Sequence, residues 1–196
     1  VLIPRPDTET LIEELLRQCP NHAAPLSILD LGTGSGCLLI AALREYPNAR
    51  GVGVDRSPDA LGWARRNLAA LGVEPRATLI ETEWPEEASP GFDIILANPP
   101  YIATAEIETL QPEVSRFEPR AALDGGPDGL DAYRALAPRI GHLLKPGGRA
   151  FVEFGADQHD AVRAILEQQG LEVVQIAADL GGIPRCVIVN FPSRPI

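Results

Sequence analysis

The chain has 196 residues, of which 45% are hydrophobic and 22% charged, a balance typical of a globular protein with a core rather than of a disordered chain. Its 27 acidic and 17 basic residues give a formal net charge of -10, which disfavours a protein that grips duplex DNA through its phosphates, because those contacts need Lys and Arg. No apolar run approaches the roughly 18 residues that a membrane-spanning helix requires.

The cysteines and histidines indicate neither a disulfide framework nor a metal site. Cys19, Cys37 and Cys186 are odd in number and far apart in sequence, which suits a reducing, cytoplasmic environment. The histidines lack the spacing of metal ligands, so we expect no bound metal. The first residue is Val and the chain contains no Met, so we expect a piece of a longer protein.

Segments typical of helices and strands alternate along the chain. The hydrophobic periodicity and the turn residues between segments define each of them. The predicted order is helix Thr8 to Cys19, strand Ser27 to Leu31, helix Cys37 to Glu45, strand Gly51 to Asp55, helix Pro58 to Leu71, strand Ala77 to Glu81, strand Phe92 to Ala97, helix Leu130 to Leu144, strand Arg149 to Phe154, helix Gln158 to Gln169, and strands Leu171 to Ala177 and Cys186 to Phe191.

This alternation predicts an α/β fold with a mostly parallel, doubly wound sheet. The helix over Leu130 to Leu144 is expected to stop at a turn, Lys145 to Gly148. The last two strands have no helix between them and should pair as antiparallel neighbours. We expect a single domain, in which residues 1–25 form an initial segment and helix and residues 26–196 a Rossmann-like core. Ligands of such sheets bind beyond the carboxyl ends of the strands.

A glycine-rich turn follows the first strand, Gly32-Thr33-Gly34-Ser35-Gly36. Glycines allow a tight turn and a close approach by a ligand, although a plain turn would also use them. Cys37 stands where a dinucleotide fingerprint would place its third spaced glycine. A cofactor without a pyrophosphate makes no such demand, so the sequence favours S-adenosylmethionine over NAD.

Two further residues are candidates for contact with that cofactor. Asp55 ends the second strand, where a carboxylate can accept hydrogen bonds from both ribose hydroxyls. It can also serve the start of the helix ahead of Ser57 and Pro58, and the two roles are compatible. Trp84 follows the third strand and either covers an adenine ring or packs as an ordinary large side chain.

The motif Asn98-Pro99-Pro100-Tyr101 directly follows the buried strand Phe92 to Ala97. Successive prolines fix two φ angles and remove two backbone donors. The Asn side-chain oxygen and a Pro carbonyl oxygen can then accept from one NH2 group, while the Tyr ring stacks on its face. The sequence therefore predicts a clamp for a planar amide or amine nitrogen.

This motif resembles that of the amino-methyltransferases. Further segments in order, Val1 to Glu9, Asp30 to Gly36, Phe117-Glu118-Pro119 and Glu153-Phe154-Gly155, make nearly the whole chain similar to the release-factor glutamine methyltransferases. The resemblance implies a class I methyltransferase fold with a seven-stranded sheet and a C-terminal antiparallel pair. It also implies that a small helical domain, absent from this chain, precedes the catalytic domain.

The resemblance further implies the substrate, a glutamine in the Gly-Gly-Gln loop of a class 1 peptide chain release factor. No membrane or direct nucleic-acid contact is expected, and a monomer is expected. The cofactor-binding residues implied are Gly32, Thr33, Gly34, Ser35, Gly36, Asp55, Trp84 and Asn98. The catalytic residues implied are Asn98, Pro99 and Tyr101, and with Pro100 these also bind the substrate.

Alternatives remain open. A nucleic-acid methyltransferase acting on adenine N6 or guanine N2 uses the same clamp on a flipped-out base, although the charge of -10 weighs against it. An inactive cofactor-binding module would have no need of the clamp. The long connection from Ile102 to Gly129, with Phe117, Glu118 and Arg120, either grips a partner or forms a solvated lid.

Overall fold

The computed structural model describes residues 1–83 and 91–191 of the chain. Within these ranges, strands and helices alternate as the sequence predicts. The strands are β1 (Ser27–Leu31), β2 (Arg50–Asp55), β3 (Ala77–Glu81), β4 (Phe92–Ala97), β5 (Leu144–Glu153), β6 (Glu172–Ala178) and β7 (Pro184–Asn190). The α-helices are α1 (Glu9–Gln18), α2 (Cys37–Glu45), α3 (Pro58–Ala70), α4 (Pro112–Ser115), α5 (Asp131–Leu143) and α6 (His159–Gln168).

The strands form one sheet in the order β3-β2-β1-β4-β5-β7-β6. Strands β1 to β5 pair in parallel, whereas β7 pairs antiparallel with both β5 and β6. The predicted seven-stranded sheet with a C-terminal antiparallel pair is therefore confirmed. The chain reverses its winding direction at β1, which lies between β2 and β4, and such reversals are where open α/β sheets bind ligands.

Helices cover both faces of the sheet, and alternate side chains of the central strand β4 pack against the helices on each face. Ile94 and Leu96 pack into the core beneath α1 and α2, whereas Ile95 and Ala97 pack into the core beneath α5 and α6. A strand buried on both faces has no solvent side, which is why β4 reads as a continuous apolar run. No helix within the described ranges is both long and apolar enough to span a membrane.

The helices begin where their local sequences favour it. Helix α3 starts with Pro58, and the side-chain oxygen of Ser57 accepts a hydrogen bond from the backbone N–H of Ala60. Helix α1 buries Leu11 and Leu15 against the sheet. It begins at Glu9, one residue later than predicted, because Pro6–Thr8 form a 3-10 turn instead.

The predicted turn at Lys145 to Gly148 is wrong, because these residues belong to β5, which begins at Leu144 rather than Arg149. Leu144 pairs with Phe92, and the register then shifts before Arg149 pairs with Ile94. The intervening residues form a bulge in β5, and the positive φ of Gly147 (81°) lets the backbone bend there. Turn-forming residues inside a strand mark such bulges as well as loops.

Candidate functional site

The predicted site residues lie at the carboxyl ends of neighbouring strands. In the sheet register Leu31 of β1 is level with Val54 of β2 and with Ala97 of β4. The residues that follow these three are Gly32, Asp55 and Asn98. The structure thus brings the glycine turn, the acidic residue and the Asn-Pro-Pro-Tyr motif to one edge of the sheet.

The glycine turn needs its glycines for backbone geometry. Gly32, Gly34 and Gly36 have φ values of 69°, 57° and 80°, a region that other residues rarely adopt. Gly36 precedes α2, and a Cβ at this position would lie 3.3 Å from the Cβ of Ala64 in α3. A Cβ at Gly32 would meet nothing within 4 Å, so the turn is open toward solvent there.

Polar contacts fix the rest of this turn. The Thr33 N–H donates to the carbonyl oxygen of Val54 (2.8 Å), and the Asn67 amide nitrogen of α3 donates to the carbonyl oxygen of Ser35 (2.9 Å). The Thr33 hydroxyl donates to Asp30 Oδ2 (2.6 Å). Asp30 is 1% exposed, and burial raises the pKa of its carboxyl to about 6. The turn is therefore a preformed structure held from both sides.

Asp55 holds the glycine turn and the start of α3 together. Its Oδ2 accepts from the backbone N–H of Gly34 and its Oδ1 from that of Ser57, both at 2.9 Å. Ser57 rather than Asp55 caps α3 with its side chain. A carboxylate has about four acceptor positions, so both oxygens of this half-buried group can still accept further hydrogen bonds.

The Asn98 side chain is held from behind by residues of the first helical turn and of β5. Its Nδ2 donates to the hydroxyl oxygen of Thr8 at 3.0 Å, and the amide also lies near the Glu153 carboxylate, whose charged form it favours. Among the residues that the structure describes, none donates a hydrogen bond to Asn98 Oδ1 or to the Pro99 carbonyl oxygen. Two hydrogen-bond acceptors on consecutive residues, Asn98 and Pro99, are thus available to a ligand at this strand end.

Tyr101 completes the corner and is clamped through its backbone. The Gln158 amide nitrogen donates to the Tyr101 carbonyl oxygen (3.0 Å), and the Gln158 amide oxygen accepts from the Gly155 N–H (3.0 Å). The Tyr101 ring packs partly against the core, and burial raises the pKa of its phenol to about 12. The phenol is therefore neutral at pH 7.

A cavity of about 170 Å³ opens beside this corner. It has room for a small side chain, because a water molecule occupies only about 30 Å³. Asn98, Pro99, Pro100 and Tyr101 line one side of it, with Arg5 and Glu153 at its polar wall. The remaining lining is apolar and comes from Leu2 and from the segment that joins β4 to α5, through Val114, Ala122 and Leu123.

That β4–α5 segment, residues 102–130, is more ordered than the sequence predicts. Two short 3-10 helices and α4 lie within it, and a bridge between Ile102 and Asp124 closes its base. Arg5, which lines the cavity, pairs with Glu118 at 2.6 Å, and this ties the segment to the N-terminal residues. Since the Glu118 side chain is 5% exposed, it faces the protein rather than a partner.

The other candidates in this segment differ in exposure. Arg120 is exposed and lies 3.4 Å from both Glu108 and Asp124, so its charge is shared within the segment. Phe117 is 83% exposed and is free to contact another molecule. Trp84, the candidate for covering an adenine ring, lies outside the described residues.

Thr8 and Glu153 contact Asn98, and the sequence patterns did not identify either residue as part of the site. Both are buried, at 5% and 1% exposure. They lie 90 residues upstream and 55 residues downstream of it in the sequence. The signal that could have found them is their presence in the segments Val1 to Glu9 and Glu153-Phe154-Gly155, on which the family resemblance rests.

Sequence comparisons show which known proteins this chain resembles. A sequence profile of the methyltransferase small domain matches residues 6–114. The release factor glutamine methyltransferase of Caulobacter vibrioides is 50% identical over 189 residues, which cover 96% of this chain and 65% of that protein. The chain therefore spans slightly less than two thirds of the length of this relative.

Two further proteins extend the comparison. The release factor glutamine methyltransferase of Cereibacter sphaeroides is 46% identical over 98% of this chain and 67% of its own length. The crystal structure of a release factor-specific protein-(glutamine-N5) methyltransferase from Alicyclobacillus acidocaldarius is 27% identical, with a TM-score of 0.57 over 95% of this chain and 93% of that one.

Proposed function

This chain belongs to the release factor glutamine methyltransferase family, and on that premise we propose that it methylates a protein glutamine. The substrate is the side-chain amide nitrogen of the glutamine in the Gly-Gly-Gln motif of a class 1 peptide chain release factor. The methyl donor is S-adenosylmethionine. Residues 1–196 act as a single methyltransferase domain in the cytoplasm, as a monomer and without direct contact with nucleic acid.

The observation that carries this proposal is the pair of available acceptors at the end of β4. Asn98 Oδ1 and the Pro99 carbonyl oxygen can accept hydrogen bonds from the two N–H groups of one primary amide. The Asn98 amide nitrogen is already engaged by Thr8, so the oxygen is the end that is left for a ligand. The cavity beside them has room for a side chain of glutamine size.

The glycine turn and Asp55 fit the proposed cofactor. Three glycines with positive φ shape the turn, the space where a Gly32 Cβ would lie is open, and the Asp55 carboxylate retains acceptor positions for ribose hydroxyls. Gly32, Thr33, Gly34, Ser35, Gly36 and Asp55 would hold S-adenosylmethionine, with Asn98 at the boundary to the substrate. We also assign Trp84 to this group on the family resemblance alone.

The proposed mechanism depends mainly on alignment. When bound, S-adenosylmethionine would supply a methyl group on a sulfonium centre. The amide nitrogen would bond to that methyl carbon as the carbon–sulfur bond breaks, with S-adenosylhomocysteine as the leaving group and one proton released from nitrogen to solvent. Asn98 Oδ1 and the Pro99 carbonyl oxygen fix the orientation of the nitrogen by accepting hydrogen bonds from its two N–H groups. Holding reactants in a productive geometry can contribute on the order of 7 kcal/mol or more. The same two oxygens stabilise the positive charge that develops on nitrogen.

Tyr101 has a steric role in this mechanism. Its ring lines the cavity and offers a flat face for the planar amide. Because burial raises its phenol pKa to about 12, it does not serve as a base near pH 7. We propose no general base.

Incubation of the full chain with labelled S-adenosylmethionine and a bacterial class 1 release factor tests this function. We expect the Gly-Gly-Gln peptide to gain one methyl group, as measured by tandem mass spectrometry. The control is the same release factor with that glutamine replaced by alanine, which should stay unlabelled. Parallel reactions contain tRNA or duplex DNA, and label found there but not in the release factor would refute the proposal.

Replacement of Asp55 by Ala is expected to weaken S-adenosylmethionine binding by about 10- to 100-fold, the loss typical of hydrogen bonds to a charged group. The change removes the acceptor for ribose and also frees the Gly34 N–H. Isothermal titration calorimetry with the cofactor measures the effect. The matched control is Asp59→Ala, which removes an exposed carboxylate of the same helix start and should leave affinity unchanged. Equal affinities of the Asp55 variant and the unmodified protein would remove Asp55 from the proposed cofactor site.

A further inference from the structure

A threonine hydroxyl and a buried carboxylate lie behind the Asn98 amide. The Asn98 Nδ2 donates to the Thr8 hydroxyl oxygen at 3.0 Å. The Thr8 hydroxyl and the Asn98 amide both lie near the Glu153 carboxylate and favour its charged form, which lowers its pKa against the larger effect of burial. A hydroxyl has one proton, so if Thr8 donates to Glu153 its oxygen is free to accept from Asn98.

The position of Glu153 is costly, which indicates that it is kept for a purpose other than stability. Its side chain is 1% exposed, and its Oε2 has no hydrogen-bond partner among the described residues. Burying a carboxylate without full pairing disfavours the folded state. The sheet register explains the placement, because Ala97 pairs with Val152 and the next residues, Asn98 and Glu153, are neighbours across the ends of β4 and β5.

An Asn side chain alone does not decide which end faces a ligand. Its amide can turn by half a rotation, and the NH2 end would then point at the NH2 of the substrate, where two donors repel. An ionised carboxylate accepts hydrogen bonds and never donates. Placed behind Asn98, it favours the orientation in which Nδ2 points inward and Oδ1 points toward the cavity.

We propose that Thr8 and Glu153 are positioning residues that hold Asn98 with its carbonyl oxygen directed at the substrate NH2 group. The proposal rests on the proposed function in that the NH2 donor is the glutamine amide. The orientation itself is a property of the chain that can be measured without substrate. Neither residue takes part in bond making.

The electrostatic surroundings of Glu153 give this arrangement a pH dependence. The groups that face it are Asp7 and Arg5 of the N-terminal segment, Tyr101 after β4, Tyr133 of α5, and Arg185 and Cys186 of β7. Burial is the main cause that raises the pKa of Glu153 to about 7. Below that pH the carboxyl gains a proton and can donate, so the preference for one Asn98 orientation weakens. Turnover should therefore fall as the pH decreases through 7.

Two substitutions test the proposal on the full chain, with S-adenosylmethionine and the release factor as substrates. Thr8→Val removes the hydroxyl at nearly constant volume, and Glu153→Gln replaces the pure acceptor by a group that also donates. We expect kcat to fall by about 10- to 100-fold in each, the cost of misplacing a reacting group. KM and cofactor affinity should change by less than about threefold, a split typical of an interaction that matters mainly in the transition state.

Three comparisons separate positioning from other roles. Thr8→Ser keeps the hydroxyl and should restore most of the activity, and Thr10→Val, at another buried threonine of the same helical region, should have no effect. The double variant should be little worse than either single variant, because both act through Asn98. The decrease in activity below pH 7 should disappear in Glu153→Gln. If Thr8→Val is fully active while Glu153→Gln is not, Glu153 acts directly as a base and the proposal is wrong.

Side-chain NMR provides the readout that is independent of activity. In the unmodified chain the Asn98 NH2 signals should be shifted and protected from exchange, and in Thr8→Val they should move toward those of an exposed amide. Unchanged signals would overturn the positioning role whether or not the enzyme is active. Absence of glutamine methylation by the unmodified chain, with the Asn98 signals responding as expected, would instead reject the proposed function.

Discussion

Asn98→Ala is expected to lower turnover by about 100- to 1000-fold, the effect typical of removing one fixed polar group that stabilises transition-state charge. The change deletes one of the two acceptors at the end of β4 and leaves only the Pro99 carbonyl oxygen. The amide of the substrate then keeps one hydrogen bond and can rotate about it. Single-turnover rates with the release factor measure this loss directly.

Cofactor affinity should respond much less to the same change. The glycine turn is held by contacts to Val54, Asn67 and Asp30, none of which involves Asn98. The affinity for S-adenosylmethionine should therefore stay within several-fold of that of the unmodified chain. A matched control is Asn48→Ala, in an exposed turn before β2, at the opposite end of the sheet. Turnover that is unchanged in Asn98→Ala would contradict the clamp and would favour an inactive cofactor-binding module.

The sequence predicted the order of the elements because strands and helices here have clear local signals. Strand β4 is a good example, since its apolar run and the proline pair after it define both its burial and its end. Once a parallel sheet is inferred, the carboxyl ends of its strands must lie at one edge. Gly32, Asp55 and Asn98 could therefore be grouped from the sequence alone.

What the sequence did not predict are contacts between residues that are distant in the chain. The Asn98–Thr8 hydrogen bond joins residues 90 positions apart, and the Arg5–Glu118 ion pair spans 113. No periodicity reports such pairs, because they depend on how loops cross at the end of the sheet. For this reason the sequence interpretation left Glu118 between a partner contact and a solvated lid, whereas the side chain pairs with Arg5.

Local signals also failed where one residue type serves two structures. Lys145 to Gly148 contains the Pro and Gly residues of a turn, and the same residues form the bulge that lets β5 pair with Phe92 before the register shifts. The pairing partner decides between the two, and it is not visible in the segment itself. The Asn98–Tyr101 corner depends on long-range contacts of the same kind, because residues distant in the sequence hold its side chains and backbone in place.

Gly129→Ala is expected to disturb the contacts that hold the Tyr101 backbone in place. A Cβ on Gly129 would lie 2.4 Å from the Tyr101 carbonyl oxygen and 2.7 Å from the Gln158 amide nitrogen. Gln158 is the residue that holds this carbonyl at 3.0 Å, so the added methyl group would push against the clamp and the backbone together. Gly129 also has a φ of 75°, which costs a non-glycine residue about 1 kcal/mol.

Thermal unfolding should reveal the sum of these effects. Overpacking of this kind costs about 1 to 3 kcal/mol beyond the φ penalty, and each kcal/mol lowers Tm by about 2 to 4 °C in a domain of this size. The matched control is Gly72→Ala, because Gly72 has a similar φ of 72° but open space where its Cβ would lie. It should lose only the φ contribution and keep its turnover, whereas Gly129→Ala should lose turnover as Tyr101 moves. Equal decreases in Tm for the two variants would mean that the backbone at Gly129 relaxes to accept the methyl group. The close approach of the β4–α5 segment would then not be what makes the Asn98–Tyr101 corner rigid.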